Sequence, residues 1–374
     1  MKYSTALALI AGILAAFCIQ CSVAKANEQC MTPDRANGLC RNLVECPQLL
    51  QMLRNTNRSP QETQYLQQSM CDQVGSMVYV CCKLESAVSA RSSSNLLPTT
   101  RDCGKSFDNR IYGGNVTRID EYPWLALIEY TKPGNIKNFF CGGSLINKRY
   151  ILTAAHCVTG RALQTNVPTG VRLGEWDRST TRDCERLANN QLDCADPHID
   201  VGIEDLIPHP QYNENSANRL YDIALIRLNR DIEYTNFVSP VCLPMAQEMR
   251  TKTFNAMTMD VSGFGATETG TSSNLKLKAT IEAWTDAECR QKYAMRRINL
   301  ENSQMCAGGV AGIDSCTGDS GGPLVVRQRL DNRDVYVQAG IVSFGPRQCA
   351  TAGWPGVYTR VGAYADWILQ NMKP

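Results

Sequence analysis

Ser320 stands in Gly318-Asp319-Ser320-Gly321-Gly322-Pro323, whose glycines leave its hydroxyl on a tight, accessible loop. A nucleophile for acyl transfer needs that exposure, with backbone N–H groups beside it for the developing oxyanion. The glycines permit the backbone angles and let a substrate carbonyl approach closely. Gly-Asp-Ser-Gly alone also fits an ordinary polar turn, so the chemistry depends on two further residues. His156 sits in Thr153-Ala154-Ala155-His156-Cys157, at the end of a short apolar strand from Tyr150 to Leu152. Asp222 interrupts the apolar run Leu220-Tyr221-Asp222-Ile223-Ala224-Leu225-Ile226, which reads as a buried strand. A lone histidine near a core is more often structural, and an Asp in an apolar run is costly unless hydrogen-bonded or paired.

Taken together, in the order His, Asp, Ser, the three motifs resemble the chymotrypsin-like serine peptidases. The resemblance implies that His156 is the general base toward Ser320 Oγ and that Asp222 holds the imidazole tautomer and stabilises the imidazolium. It makes the N–H groups of Gly318 and Ser320 the oxyanion hole. It places Asp314 at the floor of the primary pocket, six residues before Ser320, with Gly345 and Gly356 at walls that a side chain would block. A carboxylate at the end of a narrow pocket selects Arg or Lys. Phe344 stands where the family usually has tryptophan, which keeps an aromatic face beside the substrate and alters extended preferences.

Arg110-Ile111-Tyr112-Gly113-Gly114 resembles the family's activation site. A cut after Arg110 gives Ile111 an α-amino group, largely protonated at neutral pH. The resemblance pairs that ammonium with Asp319. Because burying the charge is costly unless it is paired, the ion pair acts as a two-state switch on the oxyanion loop and pocket.

The elements that must position these residues read as all-β. Short strands at Trp124 to Tyr130, Tyr150 to Thr153, Ile223 to Leu228 and Ala339 to Phe344 are broken by Gly, Pro and Asn. The resemblance makes them two six-stranded Greek-key barrels with the active site between. Tyr364, Trp367, Ile368 and Met372 recur at helical spacing and predict a C-terminal helix.

The chain has 374 residues, 18 cysteines, a formal charge of +2 and 43% hydrophobic residues. That length allows one large and one smaller domain, and near-neutrality offers nothing to nucleic acid or an acidic membrane. Lys2, an apolar run from Ala6 to Ile19 and Ala24-Lys25-Ala26 read as a signal peptide over 1–26, too short for a membrane anchor. Its removal takes Cys18 and Cys21 and leaves an even number of cysteines, suited to disulfides in an oxidising compartment. The three histidines are scattered without a zinc-ligand pattern. The expected protein is secreted into the extracellular fluid.

Six cysteines crowd residues 30–82, a segment too small to build much core without staples. They allow fifteen pairings. The spacing, closed by the Cys81-Cys82 doublet, resembles the clip domain that precedes arthropod serine peptidases. That resemblance implies Cys30–Cys81, Cys40–Cys71 and Cys46–Cys82. It further implies Cys103–Cys242, tethering the clip segment after cleavage, and Cys141–Cys157, Cys289–Cys306 and Cys316–Cys349. Cys184 and Cys194 remain and pair by elimination. Residues 83–110, rich in Ser with Pro98, read as a protease-accessible linker and activation segment before the peptidase domain at 111–374.

Glu175, Asp177, Thr180 and Asp183 offer oxygen ligands at the short spacing that suits Ca²⁺, and the equivalent loop binds calcium in several relatives of the family. Catalysis itself requires no cofactor. Asn57 and Asn115 lie in N-glycosylation sequons. The expected function is a zymogen of an Arg/Lys-specific endopeptidase in an extracellular cascade, in melanisation or Toll-ligand processing, with developmental patterning as the alternative. Its partners would be protein substrates (cascade zymogens or a cytokine precursor), an upstream activating protease and serpins. A noncatalytic clip cofactor is the competing class, and the retained His156, Asp222 and Ser320 argue against it.

Overall fold

The computed structural model describes residues 28–43, 46–54, 58–74, 77–83, 96–105, 116–187, 189–266, 272–311, 318–346 and 351–374. The chain divides into two compact units, Met1–Arg91 and Ser92–Pro374. Arg110, Ile111, Asn57, Asn115, Asp314, Cys316, Cys349 and the signal segment lie outside the described residues.

In the first unit β1 (Gln29–Met31), β2 (Asn37–Asn42), β3 (Met70–Val74) and β4 (Met77–Lys83) form an antiparallel sheet in the order β1-β2-β4-β3. Two helices, α1 (Pro47–Arg54) and α2 (Pro60–Gln68), connect β2 to β3. Ser59 caps α2 in a reciprocal box with Glu62, and Pro60 occupies the first turn, where its missing N–H costs nothing. Apolar burial is scant: Leu49 and Val80 are buried beside Cys40, Cys46, Cys71 and Cys81. The bonds Cys30–Cys81, Cys40–Cys71 and Cys46–Cys82 supply what the core cannot. Each closes a loop long enough to remove about 4 kcal/mol of unfolded-chain entropy.

The second unit holds two six-stranded assemblies. The first is a closed barrel of β5 (Leu125–Lys132), β6 (Ile136–Asn147), β7 (Tyr150–Thr153), β8 (Val167–Leu173), β11 (Ile199–Pro208) and β12 (Ala224–Leu228), in the order β11-β12-β7-β6-β5-β8. The hairpin β9 (Cys184–Arg186) and β10 (Leu192–Cys194) stands apart in the loop between β8 and β11. Ile128, Leu145, Ile151, Leu152 and Leu225 fill the barrel with no exposed surface.

The second assembly orders its strands β14-β13-β16-β17-β18-β15. They are β13 (Thr258–Gly263), β14 (Leu277–Glu282), β15 (Gln304–Ala307), β16 (Pro323–Leu330), β17 (Arg333–Phe344) and β18 (Gly356–Arg360). A bridge between Ala283 and Ala307 joins its ends. The fold is therefore the all-β, double six-stranded architecture expected, with the small disulfide-rich unit before it.

Helices fill the joints: α3 (Ala155–Val158), α4 (Gln247–Arg250), α5 (Asp286–Ala294) and α6 (Ala365–Asn371). The C-terminal helix buries Ile368, with Met372 buried just beyond it. Sequence periodicity did not foresee α5, which buries only Cys289 and Tyr293. Four further disulfides are formed: Cys103–Cys242, Cys141–Cys157, Cys184–Cys194 and Cys289–Cys306.

Candidate active site

The run from Leu220 to Ile226 is not one continuous strand. Tyr221 adopts φ +63°, left-handed backbone that a β ladder cannot carry, and pairing starts only at Ala224 opposite Thr153. Asp222 is thereby freed from the ladder just before β12, while His156 follows just after β7. Register between the two strands brings the pair together.

Asp222 is completely buried, and its carboxylate is fully engaged. Oδ1 accepts the His156 backbone N–H at 2.9 Å, and Oδ2 lies 2.8 Å from His156 Nδ1. Ser343 at the end of β17 donates its hydroxyl to Oδ2 at 2.5 Å. Thr359 of β18 donates to the Asp222 carbonyl at 2.8 Å. Burial alone would push this carboxyl up; the His156 charge and hydrogen bonds, then Ser343, hold it below its ordinary value. Sequence reasoning missed Ser343 and Thr359, since each reads as an ordinary strand residue and meets Asp222 only through the fold.

Ser320 lies on a loop stacked against the same segments. Its carbonyl accepts the Gly142 N–H at 2.8 Å, and Gly321 donates to Val342 at 2.9 Å. Gly321 is left-handed, φ +77°, and a Cβ there would meet Thr153 Oγ1 at 2.2 Å and the Gly142 carbonyl at 2.6 Å. Only glycine fits, and that closeness sets Ser320 beside the His156 segment. His156 also adjoins Cys141–Cys157, whose sulfurs are bonded to each other and offer a metal no thiolate.

The Asp319 carboxylate lies against the segment from Gly263 to Gly265. Its Oδ1 accepts the Gly265 N–H at 2.8 Å, and a Cβ at Gly263 or Gly265 would collide with the carboxylate. Gly345 and Gly356 face each other closely: a Cβ at Gly345 would lie 3.7 Å from the Gly356 Cα.

The four acidic-loop residues converge in part. Asp183 accepts the N–H groups of Trp176 and Asp177 and the Thr180 hydroxyl, while Asp177 accepts Ser179. Glu175 is buried, with Oε2 3.0 Å from Arg172 Nη1 and Oε1 without a hydrogen-bond partner. Burial first, then the Asp183 charge, pushes its carboxyl above the ordinary value. An orphaned buried oxygen beside a second carboxylate suits a hard cation. The same loop grips residues 117–119: Trp176 Nε1 donates to the Thr117 carbonyl at 2.9 Å, and Ile119 N–H donates to Glu185 at 3.1 Å.

This geometry stands in a recognised setting. Residues 111–368 match the trypsin family, and the chain belongs to that family of serine endopeptidases. Residues 30–82 match the regulatory CLIP domain of proteinases, so the chain is of the clip-domain kind. It is 48% identical over 356 residues to "Serine protease ea" of Drosophila melanogaster, covering 92% of this chain and 91% of the other. It is 44% identical over 372 residues to "Melanization protease 1" of the same fly, covering 92% and 93%. A crystal structure of the Drosophila Grass clip serine protease of the Toll pathway superposes with a TM-score of 0.68 at 34% identity, covering 93% of this chain and 98% of that one. Among the described residues no helix is long and apolar enough to cross a membrane.

Proposed function

We propose that the chain is a secreted zymogen, activated by cleavage between Arg110 and Ile111, whose peptidase then cuts after Arg or Lys. The observation that carries this reading is the buried Asp222 carboxylate bonded to both the amide and Nδ1 of His156. A carboxylate at Nδ1 requires the proton there, which leaves Nε2 with a lone pair for Ser320. In the first step Ser320 Oγ bonds to the scissile carbonyl carbon while His156 takes its proton. The carbonyl π pair moves onto oxygen, where the N–H groups of Gly318 and Ser320 receive it. The C–N bond then breaks, and the leaving amine takes the proton from His156. Water repeats the sequence on the acyl-enzyme, and Asp222 remains ionised throughout.

Asp314 supplies the basic-residue preference, supported by its spacing to Ser320 and by glycines at 345 and 356 that leave the entrance clear. The Ile111 ammonium would take Asp319 as its counter-charge. Calcium would be held through Glu175 and Asp183, with Asp177 and Thr180 in the same loop, as a hard cation that neutralises the buried acids. The working divisions are a signal peptide at 1–26, a clip domain at 30–82, a linker at 83–110 and the peptidase at 111–374, with glycans at Asn57 and Asn115.

The cascade role rests on similarity to proteins named for melanisation, for Spaetzle processing (40% identical, Drosophila melanogaster) and for the Toll pathway. The partners are then protein precursors, an upstream protease and serpins, in immunity or in developmental patterning. A noncatalytic cofactor would have no need for the bonds around Asp222.

Treating the purified zymogen with a trypsin-like peptidase tests the scheme. The new N-terminus should begin at Ile111, with hydrolysis of Arg and Lys amides appearing together with it. Arg110→Gln should stay uncut and inert, and Ser320→Ala should be cut but inert. A start elsewhere overturns the switch, and a Ser320→Ala rate within tenfold of the parent overturns the nucleophile. Equal turnover of Phe and Arg substrates removes Asp314 from the pocket.

A further inference from the structure

Phe344 is the last residue of β17, between Ser343, which bonds Asp222, and Gly345. Its ring packs edge-on against Tyr293 at 5.8 Å and leaves its other surface half-exposed. Over that ring lies the Arg219 guanidinium, its Cζ 5.7 Å from the centroid. Arg219 precedes Asp222 by three residues and is itself left-handed, φ +44°. Non-glycine residues in that region are strained, and the surroundings must impose the conformation. Here the surroundings are explicit. Asn218 accepts the Asn299 N–H at 2.9 Å and the Gln304 side-chain amide at 2.8 Å, and Tyr221 N–H donates to Tyr364 at 3.2 Å. The segment is pinned on both sides of Arg219, and the strained turn aims the guanidinium at Phe344.

That guanidinium makes no ion pair among the described residues. It is half-buried beside an aromatic face, where a charge interaction is screened less than on open surface. A peptide with its scissile carbonyl at Ser320 extends by about 3.3 Å per residue. Gly321, next to Ser320, donates to the Val342 carbonyl two residues before Phe344, and Phe344 adjoins Gly345 at the proposed P1 pocket wall, so the residues just before the cut run toward Phe344 and Arg219. We propose that Arg219, laid over Phe344, forms a subsite that favours a carboxylate side chain at one of the P2 to P4 positions of the substrate. The chain's own sequence before the proposed cut, Phe107-Asp108-Asn109-Arg110, carries such a residue. This inference rests on the endopeptidase reading above and deepens it.

The test compares peptide amides built on Phe-Asp-Asn-Arg, with Asp, Asn or Lys placed in turn at P2, P3 and P4, using the activated full-length protein. At one position kcat/KM should favour Asp over Asn by about fivefold, a preference that shrinks but persists as salt is raised from 0.05 to 0.5 M, in line with partial screening of a half-buried charge pair. Arg219→Glu should invert it to favour Lys. Arg219→Asn, which tolerates the left-handed turn, should flatten it while Arg remains preferred at P1. Equal rates for Asp, Asn and Lys at all three positions, or an unchanged preference in both variants, overturns the subsite and leaves the peptidase reading intact. A protein that cleaves none of the Arg peptides overturns that reading, and the subsite with it.

Discussion

Asp222 and Glu175 are both carboxylates buried in the second unit, at 0% and 4% exposure, and their surroundings push them in opposite directions. Asp222 receives donors on both oxygens from two elements, the His156 segment and β17. Glu175 has Arg172 at hydrogen-bond distance and His198 at 3.8 Å on one oxygen, and no hydrogen-bond partner on the other. Burial penalises the charged form equally in kind, so the difference lies in hydrogen bonds and neighbouring charge. The lesson is that depth alone says little about the state of a buried acid. A fully bonded carboxylate is locked as an anion, whereas an incompletely bonded one invites a proton or a cation.

Replacing the locked acid should give the largest effect. Asp222→Asn removes the charge and the tautomer control of His156, and kcat of the activated enzyme should fall about 10⁴-fold with the fold retained. Circular dichroism and Arg-amide hydrolysis check this together, and a loss under tenfold would dissolve the contrast with Glu175.

Ser343→Ala should have an intermediate effect. It deletes a single donor to a charged acceptor, worth about 1.5–3 kcal/mol, so kcat should drop about 10- to 100-fold. The same change should raise the folded-state pKa of Asp222. A carboxyl with a depressed folded pKa stabilises above its ordinary range and loses that contribution as pH falls through the folded value. With one donor gone, acid unfolding should therefore begin at higher pH, and an unshifted midpoint would detach Ser343 from the ionisation of Asp222.

The smallest effect belongs to the other acid. Glu175→Gln should leave kcat/KM within about twofold. Because the folded carboxyl is raised, its charge costs stability at neutral pH, and the cost is relieved as pH falls through the folded pKa or as a cation binds. An extracellular-type calcium affinity of about 10⁻⁴–10⁻³ M predicts about 1–2 kcal/mol of stabilisation at 5 mM, or a few degrees in Tm for a domain of this size. The parent should show that rise and the variant should not. A parent indifferent to calcium would assign Glu175 to proton uptake alone.

The catalytic candidates were legible because their neighbours in sequence are distinctive: glycines around Ser320, small residues before His156, an apolar run around Asp222. The double-barrel class followed from resemblance of those motifs. What escaped notice depended on contacts between distant segments. Ser343 and Thr359 lie 121 and 137 residues from Asp222 and look like any strand residues. Arg219 and Tyr221 look compatible with a strand until packing forces them left-handed. Helix α5 had a signal in Thr285 and Glu288, but its weak apolar stripe hid it.

Cys103 is bonded to Cys242, and Gly104 next to it lies in the peptidase unit with its N–H on Pro240 and its carbonyl on Tyr336. A cut after Arg110 would therefore add one water to the molecule and subtract nothing. Any partner that held the N-terminal piece would then hold the active peptidase with it, since binding by one linked module raises the local concentration of the other. Activation of this kind changes what the molecule can do without changing its address.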